Sequence, residues 1–577
     1  MMRRALLLSV LLLSVPLIAG CAAPPAPDMG AVEAKPASDW QAGAMVAAAN
    51  PLAVEAGLAV LRQGGSAVDA AIAVQAVLGL VEPQSSGLGG GAFLIHYDAA
   101  SGDVAAYDGR ETAPAGARPD MFLTASGEPE AFLAAVQSGD AVGVPGLVAL
   151  LAAAHRDHGR LSLAADLGPA IRLAEEGFAV SPRLSRVIAA VAGFGPLLPD
   201  AAAYLTIDGT TPLPAGHILK NPAYGETLKR IAAEGPRGFY EGPVAAAMVA
   251  AVRRGNAPGT LTAEDLKGFE ARRLEPLCRP YRAVLVCGMG PPSSGGIAVL
   301  AALGMLGQFD LSGGAGDARA WHLLIEAERL AYADRDLYAA DDRFVAVPVA
   351  GLIDADYLAG RATLIAPDRA MAEAQAGTPP GAPQRAADLS GRWTGTSHFV
   401  VVDASGNVVS MTTTIEGPFG SQRMAAGFFL NNQMTDFSFR PADEKGRPIA
   451  NAVAPGKKPR SSMAPTIVFR DGRFLLAAGS PGGNAIIGYV LKTLVGVLDW
   501  GLTPQQAIAL PNVVARGKPV VEAGFDGGLR AALSAMGHEI SEARAGEASG
   551  LHAVMLGADG RLAGGADPRR EGIVASP

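Results

Sequence analysis

The sequence predicts an α+β protein in which two packed β-sheets are covered by helices. Two observations lead there. Short runs rich in β-branched, aromatic and aliphatic residues fall at 92–97, 399–403, 408–415, 466–469 and 474–478, with a strand pair across 553–564. Helical patterns bracket them in sequence, at 51–62, 66–80, 145–158, 163–176, 222–233, 243–254, 320–337, 484–498 and 529–536. The 577 residues suffice for two medium domains or one large one with a substantial core. A formal net charge of −8 argues against a polyanion-binding surface, so nucleic acid is not an expected partner. No fixed-period repeat and no metal-type Cys/His cluster is visible.

Residues 1–21 read as a targeting segment. Arg3 and Arg4 supply the positive end, and the apolar run from Ala5 to Ile18 is too short for a comfortable membrane span. Leu17 to Cys21 (LIAGC) resembles a bacterial lipobox, which implies cleavage before Cys21 and lipidation of its thiol; an ordinary signal peptide cut nearby is the alternative. Residues 22–39, rich in Ala and Pro, read as a flexible tether. The expected location is the periplasm, with the membrane reached only through a lipid anchor.

Pro51 suits a first helical turn, Gly64 and Gly65 break the helix pair, and Ser66 can cap the second helix. The Ala-rich spacing implies close helix packing. Gly87 to Gly91 lacks the Lys-Ser/Thr and the βαβ frame of a phosphate loop, so close backbone approach is the expected use. Arg110 follows a short strand; by itself it reads as an arginine paired with Glu111. His155 and His158 lie three apart on one helix face without a carboxylate or Cys companion, so no metal is expected there.

Cys278 and Cys287 flank RPYRAVLV, which alternates like a strand. A straight strand holds the two thiols about 30 Å apart, beyond bonding range. Two free thiols are therefore the expectation, and a fold-back at Pro280 is the one arrangement that bridges them. Residues 365–392, rich in Ala, Pro and Gly, read as mobile.

The chain is organised around Thr394 to Ser421, TGTSHFVVVDASGNVVSMTTTIEGPFGS. Phe399 to Asp403 and Val408 to Ile415 read as strands joined by a tight turn at Gly406-Asn407. Gly395 leaves its carbonyl approachable, and Thr396 offers a hydroxyl capable of attacking it. A break there would put the hydroxyl and an α-amine on one residue. Such an amine has a reference pKa of about 7.7–8.0, suited to a general base, and a threonine so activated is a known nucleophile type. A plain Thr/Ser-rich hairpin is the competing reading of these residues alone.

Several long motifs, in order, resemble the γ-glutamyltranspeptidases, or glutathione hydrolases: TSHFVVVD, GNVVSMTTTIE and FGS in this hairpin, LNNQMTDF (430–437), PRSSMAPTIV (459–468) and GSPGG (479–483). Upstream, YDGRETAP (107–114), PPSSGG (291–296) and EAERLAYADR (326–335) also fit, and the similarity runs from about Gly43 to Asp567. The resemblance implies the four-layer αββα sandwich of N-terminal-nucleophile hydrolases. It also implies self-cleavage between Gly395 and Thr396 into a large subunit (40–395 after the tether) and a small one (396–577) that stay associated. No cofactor and no metal is implied.

The resemblance further implies the site. Thr396 attacks the γ-amide of glutathione or another γ-glutamyl compound, Thr414 hydrogen-bonds the Thr396 hydroxyl, and the N–H groups of Gly482 and Gly483 hold the oxyanion. Arg110, Ser461 and Ser462 take the α-carboxylate; Asp436, Glu416 and Gln433 take the α-amine. Glu416 stands where some members carry Asn, and 437–460, in the place of the lid, has no Tyr and is shorter than in long-lidded members. Two other readings compete: an acylase for glutaryl-type amides such as β-lactam side chains, which needs no α-amine subsite, and a non-catalytic amino-acid-binding lipoprotein.

Overall fold

The computed structural model describes residues 40–388, 395–543 and 549–577. The targeting segment, Cys21 and the tether lie outside the described residues, as does 389–394. No helix among the described residues is long and apolar enough to cross a membrane.

Two antiparallel sheets form the centre. The first has seven strands in the order Ile573–Ala575, Met45–Ala48, Gly395–Val402, Val408–Glu416, Gly91–Tyr97, Val104–Gly109 and Arg272–Leu274. The second has six: Leu562–Ala566, His552–Leu556, Arg473–Gly479, Thr466–Arg470, Val284–Gly288 and Leu277–Tyr281. Alternation along Gly395–Val402 sets the layers. Phe399 and Val401 point into one core with helices Pro51–Arg62 and Ala67–Val81. Val400 and Val402 point into a second core, shared with Val286, Ile467 and Leu476 of the other sheet and with helices Gly295–Leu306, Ala318–Tyr338 and Ile486–Leu498. Helix, sheet, sheet, helix is the resulting order.

The local chemistry of these elements is legible. Ser66 caps Ala67–Val81 in a reciprocal box with Asp69. The helix pair packs so closely that a Cβ on Gly57 would meet Val74 at 2.8 Å. The Gly run serves close approach as expected: a Cβ on Gly89 would meet the Phe429 carbonyl oxygen at 2.1 Å, and one on Gly90 that of Thr414 at 2.0 Å.

Two expectations are corrected. Cys278 and Cys287 are not free: they face each other in register across the hairpin Leu277–Tyr281/Val284–Gly288 and form a disulfide. The chain reverses at Arg282, whose φ is +52°, and not at Pro280, which stays in the strand opposite Leu285. The stretch 365–388 is irregular but tied down. Met371 N–H donates to Glu326, Gly377 N–H to Asp334 and Ala386 N–H to the Pro448 carbonyl, and Asp388 is bound by Asn451 and Arg460. The remainder of that stretch falls outside the described residues.

Candidate active site

The strand Gly395–Val402 begins at an open cleft. Nine of the ten catalytic and substrate-binding residues expected from sequence line it: Arg110, Thr396, Thr414, Glu416, Gln433, Asp436, Ser461, Ser462 and Gly483. Gly482 does not line it; this glycine sits just behind, at φ +141°, and leads Gly483 (φ +57°) into the turn before Ile486–Leu498. Gly395 lies directly behind Thr396 on the same strand.

The Thr396 hydroxyl donates to the Gly395 carbonyl oxygen at 2.5 Å and lies 3.2 Å from the Thr414 hydroxyl. Thr414 in turn donates to the same carbonyl at 2.6 Å and accepts from Glu416 N–H at 2.8 Å. Two hydroxyls thus converge on one peptide oxygen. On the far side, Arg570 Nη1 donates to the Thr396 carbonyl at 3.0 Å, anchoring the Thr396 strand to the C-terminal segment.

Glu416 reaches the cleft through an irregularity. Pairing with the neighbouring strand slips between Thr413 and Glu416, and Glu416 adopts φ +78°, a region unfavourable to a residue with a Cβ. Its carboxylate accepts from Asn432 Nδ2 at 2.7 Å. The short 3₁₀ turn Gln433–Asp436 stacks i on i+3, so Gln433 Nε2 donates to Asp436 Oδ2 at 2.6 Å. The same oxygen meets Arg110 Nη2 at 2.5 Å. Arg110 is buried and also donates to the carbonyls of Pro459 and Arg460 at 3.1 Å each.

Ser462 is held from behind. Arg335 Nη2 donates to Ser462 Oγ at 2.6 Å and to Asn484 Oδ1 at 2.8 Å, while Asp336 pairs with Arg335 Nη1 at 2.6 Å. Ser461 Oγ accepts from Met463 N–H at 3.1 Å. Sequence reasoning assigned no role to Arg335, Asn484, Asn432 or Arg570. Three of them fall in or beside quoted motifs (EAERLAYADR, GSPGG and LNNQMTDF), so the signal was a polar residue in a long matching run; Arg570, in the C-terminal DPRR, had no such mark.

Burial, and then the nearby Asp436 charge, pushes the Glu416 carboxyl well above the ordinary carboxylate range. Burial likewise raises Glu111, behind Arg110, to about 8. The opposite end is cationic, although burial and then the neighbouring Arg460 lower Arg335 to about 10. The cleft is therefore polarised: hydroxyls and the Arg110 guanidinium lead, through the Arg110–Asp436 contact, to carboxyl groups and the Gln433 amide.

His158 takes no part in a ligand cluster: its ring stacks on His96 at 3.8 Å and lies 2.9 Å from the Tyr107 hydroxyl. His155 differs from expectation. Two carboxylates, Asp69 and Asp166, arrive beside it from other helices.

An αββα sandwich with a threonine at the head of an inner strand, opening into a polarised cleft, defines an N-terminal-nucleophile hydrolase fold. The family model for gamma-glutamyltranspeptidase matches residues 53–576, and the chain belongs to that family. It is 38% identical over 512 residues to the glutathione hydrolase proenzyme of Bacillus subtilis, covering 86% of this chain and 85% of that protein. It is 36% identical over 550 residues to the acylase ACY 1 proenzyme of Pseudomonas sp. strain V22, covering 94% of each. The crystal structure of cephalosporin acylase from Bacillus halodurans superposes with a TM-score of 0.81 at 28% identity, over 97% of this chain and 99% of that one. The chain is accordingly an enzyme of the hydrolase/transferase class.

Proposed function

We propose that the protein is a self-processing γ-glutamyltransferase and glutathione hydrolase. Thr396 Oγ1 adds to the Gly395 carbonyl carbon, the Gly395–Thr396 C–N bond breaks, and the Thr396 nitrogen takes a proton. Water then opens the resulting ester, leaving a Gly395 carboxylate, the free Thr396 hydroxyl and its α-amine. The observation that carries this reading is the convergence of the Thr396 and Thr414 hydroxyls on the Gly395 carbonyl oxygen.

In the mature enzyme the α-amine accepts the hydroxyl proton as Thr396 attacks the γ-amide carbon of the donor. The tetrahedral oxyanion takes hydrogen bonds from the Gly482 and Gly483 N–H groups. One such donor contributes roughly 3–4 kcal/mol to the transition state. The leaving amine departs with the proton, and water or an amino acid releases the γ-glutamyl group from the Thr396 ester. Arg110, Ser461 and Ser462 bind the α-carboxylate; Asp436, Glu416 and Gln433 bind the α-ammonium. A cation faces one charge of the head group and carboxyl groups face the other.

The acylase reading draws on the cephalosporin acylase likeness and on the 36% identical acylase. Asp436, already bound by Gln433 and Arg110 at the cleft, favours the γ-glutamyl reading instead, because a glutaryl group has no amine to meet it. Export with lipidation at Cys21 is part of the proposal; the Cys278–Cys287 disulfide supports an oxidising compartment.

Mass spectrometry of purified protein and a γ-glutamyl anilide assay test this together. Wild type is expected as two chains beginning at Cys21 and Thr396, with anilide turnover. Thr396→Ala is expected as one inactive chain, and Thr396→Ser to retain part of both activities. A Thr396→Ala protein cut at the same bond would overturn the assignment.

A further inference from the structure

At the opposite end of the inner strand from Thr396, three helices bring together side chains that the reaction does not use. Asp69 comes from Ala67–Val81, His155 from Leu147–His158 and Asp166 from Leu163–Glu176. His155 Nε2 lies 3.7 Å from Asp69 Oδ1 and 3.5 Å from Asp166 Oδ2, and the three donor atoms all fall within 4.8 Å of one another. We propose that Asp69, His155 and Asp166 form a binding site for one divalent transition-metal ion of the Zn²⁺ class.

The spacing is close to what such an ion requires. With metal–ligand bonds of about 2.0–2.2 Å in a tetrahedral shell, neighbouring donor atoms stand roughly 3.3–3.5 Å apart. The His155 contacts need to contract by only a few tenths of an ångström. One imidazole nitrogen with two carboxylate oxygens is a donor set that suits Zn²⁺, Co²⁺ or Mn²⁺ more than the all-oxygen cations.

Asp166 supplies the second, independent observation. Its side chain is 0% exposed, neither oxygen accepts from an N–H or hydroxyl donor, and its polar neighbours are the His155 imidazole and the Asp69 carboxylate. A buried carboxylate facing an imidazole and a second carboxylate is costly as an anion unless a proton or a cation sits between them.

Asp69 is oriented for the task. Its Oδ2 accepts from the N–H groups of Ser66, Leu161 and Arg160 at 2.8, 3.1 and 2.9 Å. Oδ1 has only a longer 3.2 Å contact from Arg160 N–H, and this is the oxygen nearest His155. Backbone donors thus fix the carboxylate as an outer shell would. Without a metal, His155 Nε2 sits 2.9 Å from the Leu161 carbonyl oxygen; coordination exchanges that bond for the ion and puts the ring proton on Nδ1. His155 is 20% exposed, so the ion enters from solvent and water completes the shell.

The site is remote from the cleft. Ala67 N–H donates to Asp403 Oδ2 at 3.1 Å. Asp403 follows directly on the strand Gly395–Val402 that carries Thr396 at its start, and seven extended residues span about 23 Å. The role inferred is to clamp three helices of the outer layer.

The test uses the full mature protein without an affinity tag, stripped with a chelator and dialysed against Zn²⁺ or Co²⁺. Wild type is expected to retain one ion per chain by elemental analysis. Co²⁺ should give the intense visible absorption of a four-coordinate site, and Zn²⁺ should raise the melting temperature. Asp166→Asn and His155→Gln are each expected to weaken binding tenfold or more, abolish the Co²⁺ band, and leave γ-glutamyl anilide turnover unchanged. If wild type holds no more metal than the variants, the carboxylates share a proton instead and the proposal fails. If Asp166→Asn does not fold, the partly exposed His155→Gln decides the matter: a Co²⁺ band identical to wild type overturns the site.

Discussion

Arg110 Nη2 and Asp436 Oδ2 lie 2.5 Å apart on the wall of the cleft, an ion pair between the two groups proposed to read opposite charges of one substrate. Each holds the other in place. A zwitterionic amino-acid head offers a carboxylate to the first and an ammonium to the second, so both charges keep a partner as it enters. A glutaryl group satisfies only the first.

Asp436→Ala therefore discriminates between substrates. Loss of one member of a desolvated, charge-assisted pair costs roughly 2–5 kcal/mol in apparent transition-state binding. For the wild type, γ-glutamyl anilide is expected to be turned over far more efficiently than glutaryl anilide, and the mutation should narrow that gap. Comparing kcat/KM for both anilides with both proteins checks it; a gap that survives intact would exclude Asp436 as the amine reader.

Arg110→Lys is expected to raise KM at least tenfold while the chain is still cut, because an ammonium cannot reproduce the planar fork that meets Asp436 and two carbonyls. An unchanged KM would move the α-carboxylate elsewhere.

The disulfide predicts the outcome of alkylation. Unreduced, denatured protein should carry no label on Cys278 or Cys287, and a reductant should expose both. Label on both without reductant would contradict the bridge.

Glu328 predicts a pH dependence. Its carboxyl is fully buried, and burial, only partly offset by a backbone hydrogen bond from Ala515, raises it from 4.5 to about 8. Between those two values the folded state binds a proton that the unfolded state has released. Its stabilising contribution is thus complete below pH 4.5 and is lost as pH rises through about 8. Glu328→Gln keeps the shape without the charge. It should leave the melting temperature at pH 5 nearly unchanged and raise it by several degrees at pH 9. Parallel pH profiles for the two proteins would refute the assignment.

Much of this was legible in sequence, and the failures have physical causes. Helices with a polar face announced themselves: Pro51–Arg62 and Leu163–Glu176 end where the periodic pattern ends. Gly295–Leu306 did not, because every one of its residues is buried and no polar stripe marks a period. The Cys278–Cys287 hairpin was hidden because its turn rests on Arg282 at φ +52°, where Gly, Asn or Asp would have signalled reversal. The cleft was readable because its residues sit in long matching runs. The metal-type cluster was not, because His155, Asp69 and Asp166 meet only through the packing of three helices.

The order of strands in the first sheet has a consequence for how the molecule can be taken apart. Strands from before and after Gly395 alternate there: Met45–Ala48 lies between Ile573–Ala575 and Gly395–Val402, and Val408–Glu416 lies against Gly91–Tyr97. As one chain, this sheet assembles by a unimolecular reaction. If the 395–396 bond is cut as proposed, the reverse of unfolding requires two polypeptides to meet, and its equilibrium acquires a concentration term. Diluted, denatured mature enzyme should therefore regain structure far less readily than the uncut Thr396→Ala chain. Thermal loss of activity in the mature form is then governed by the height of the unfolding barrier.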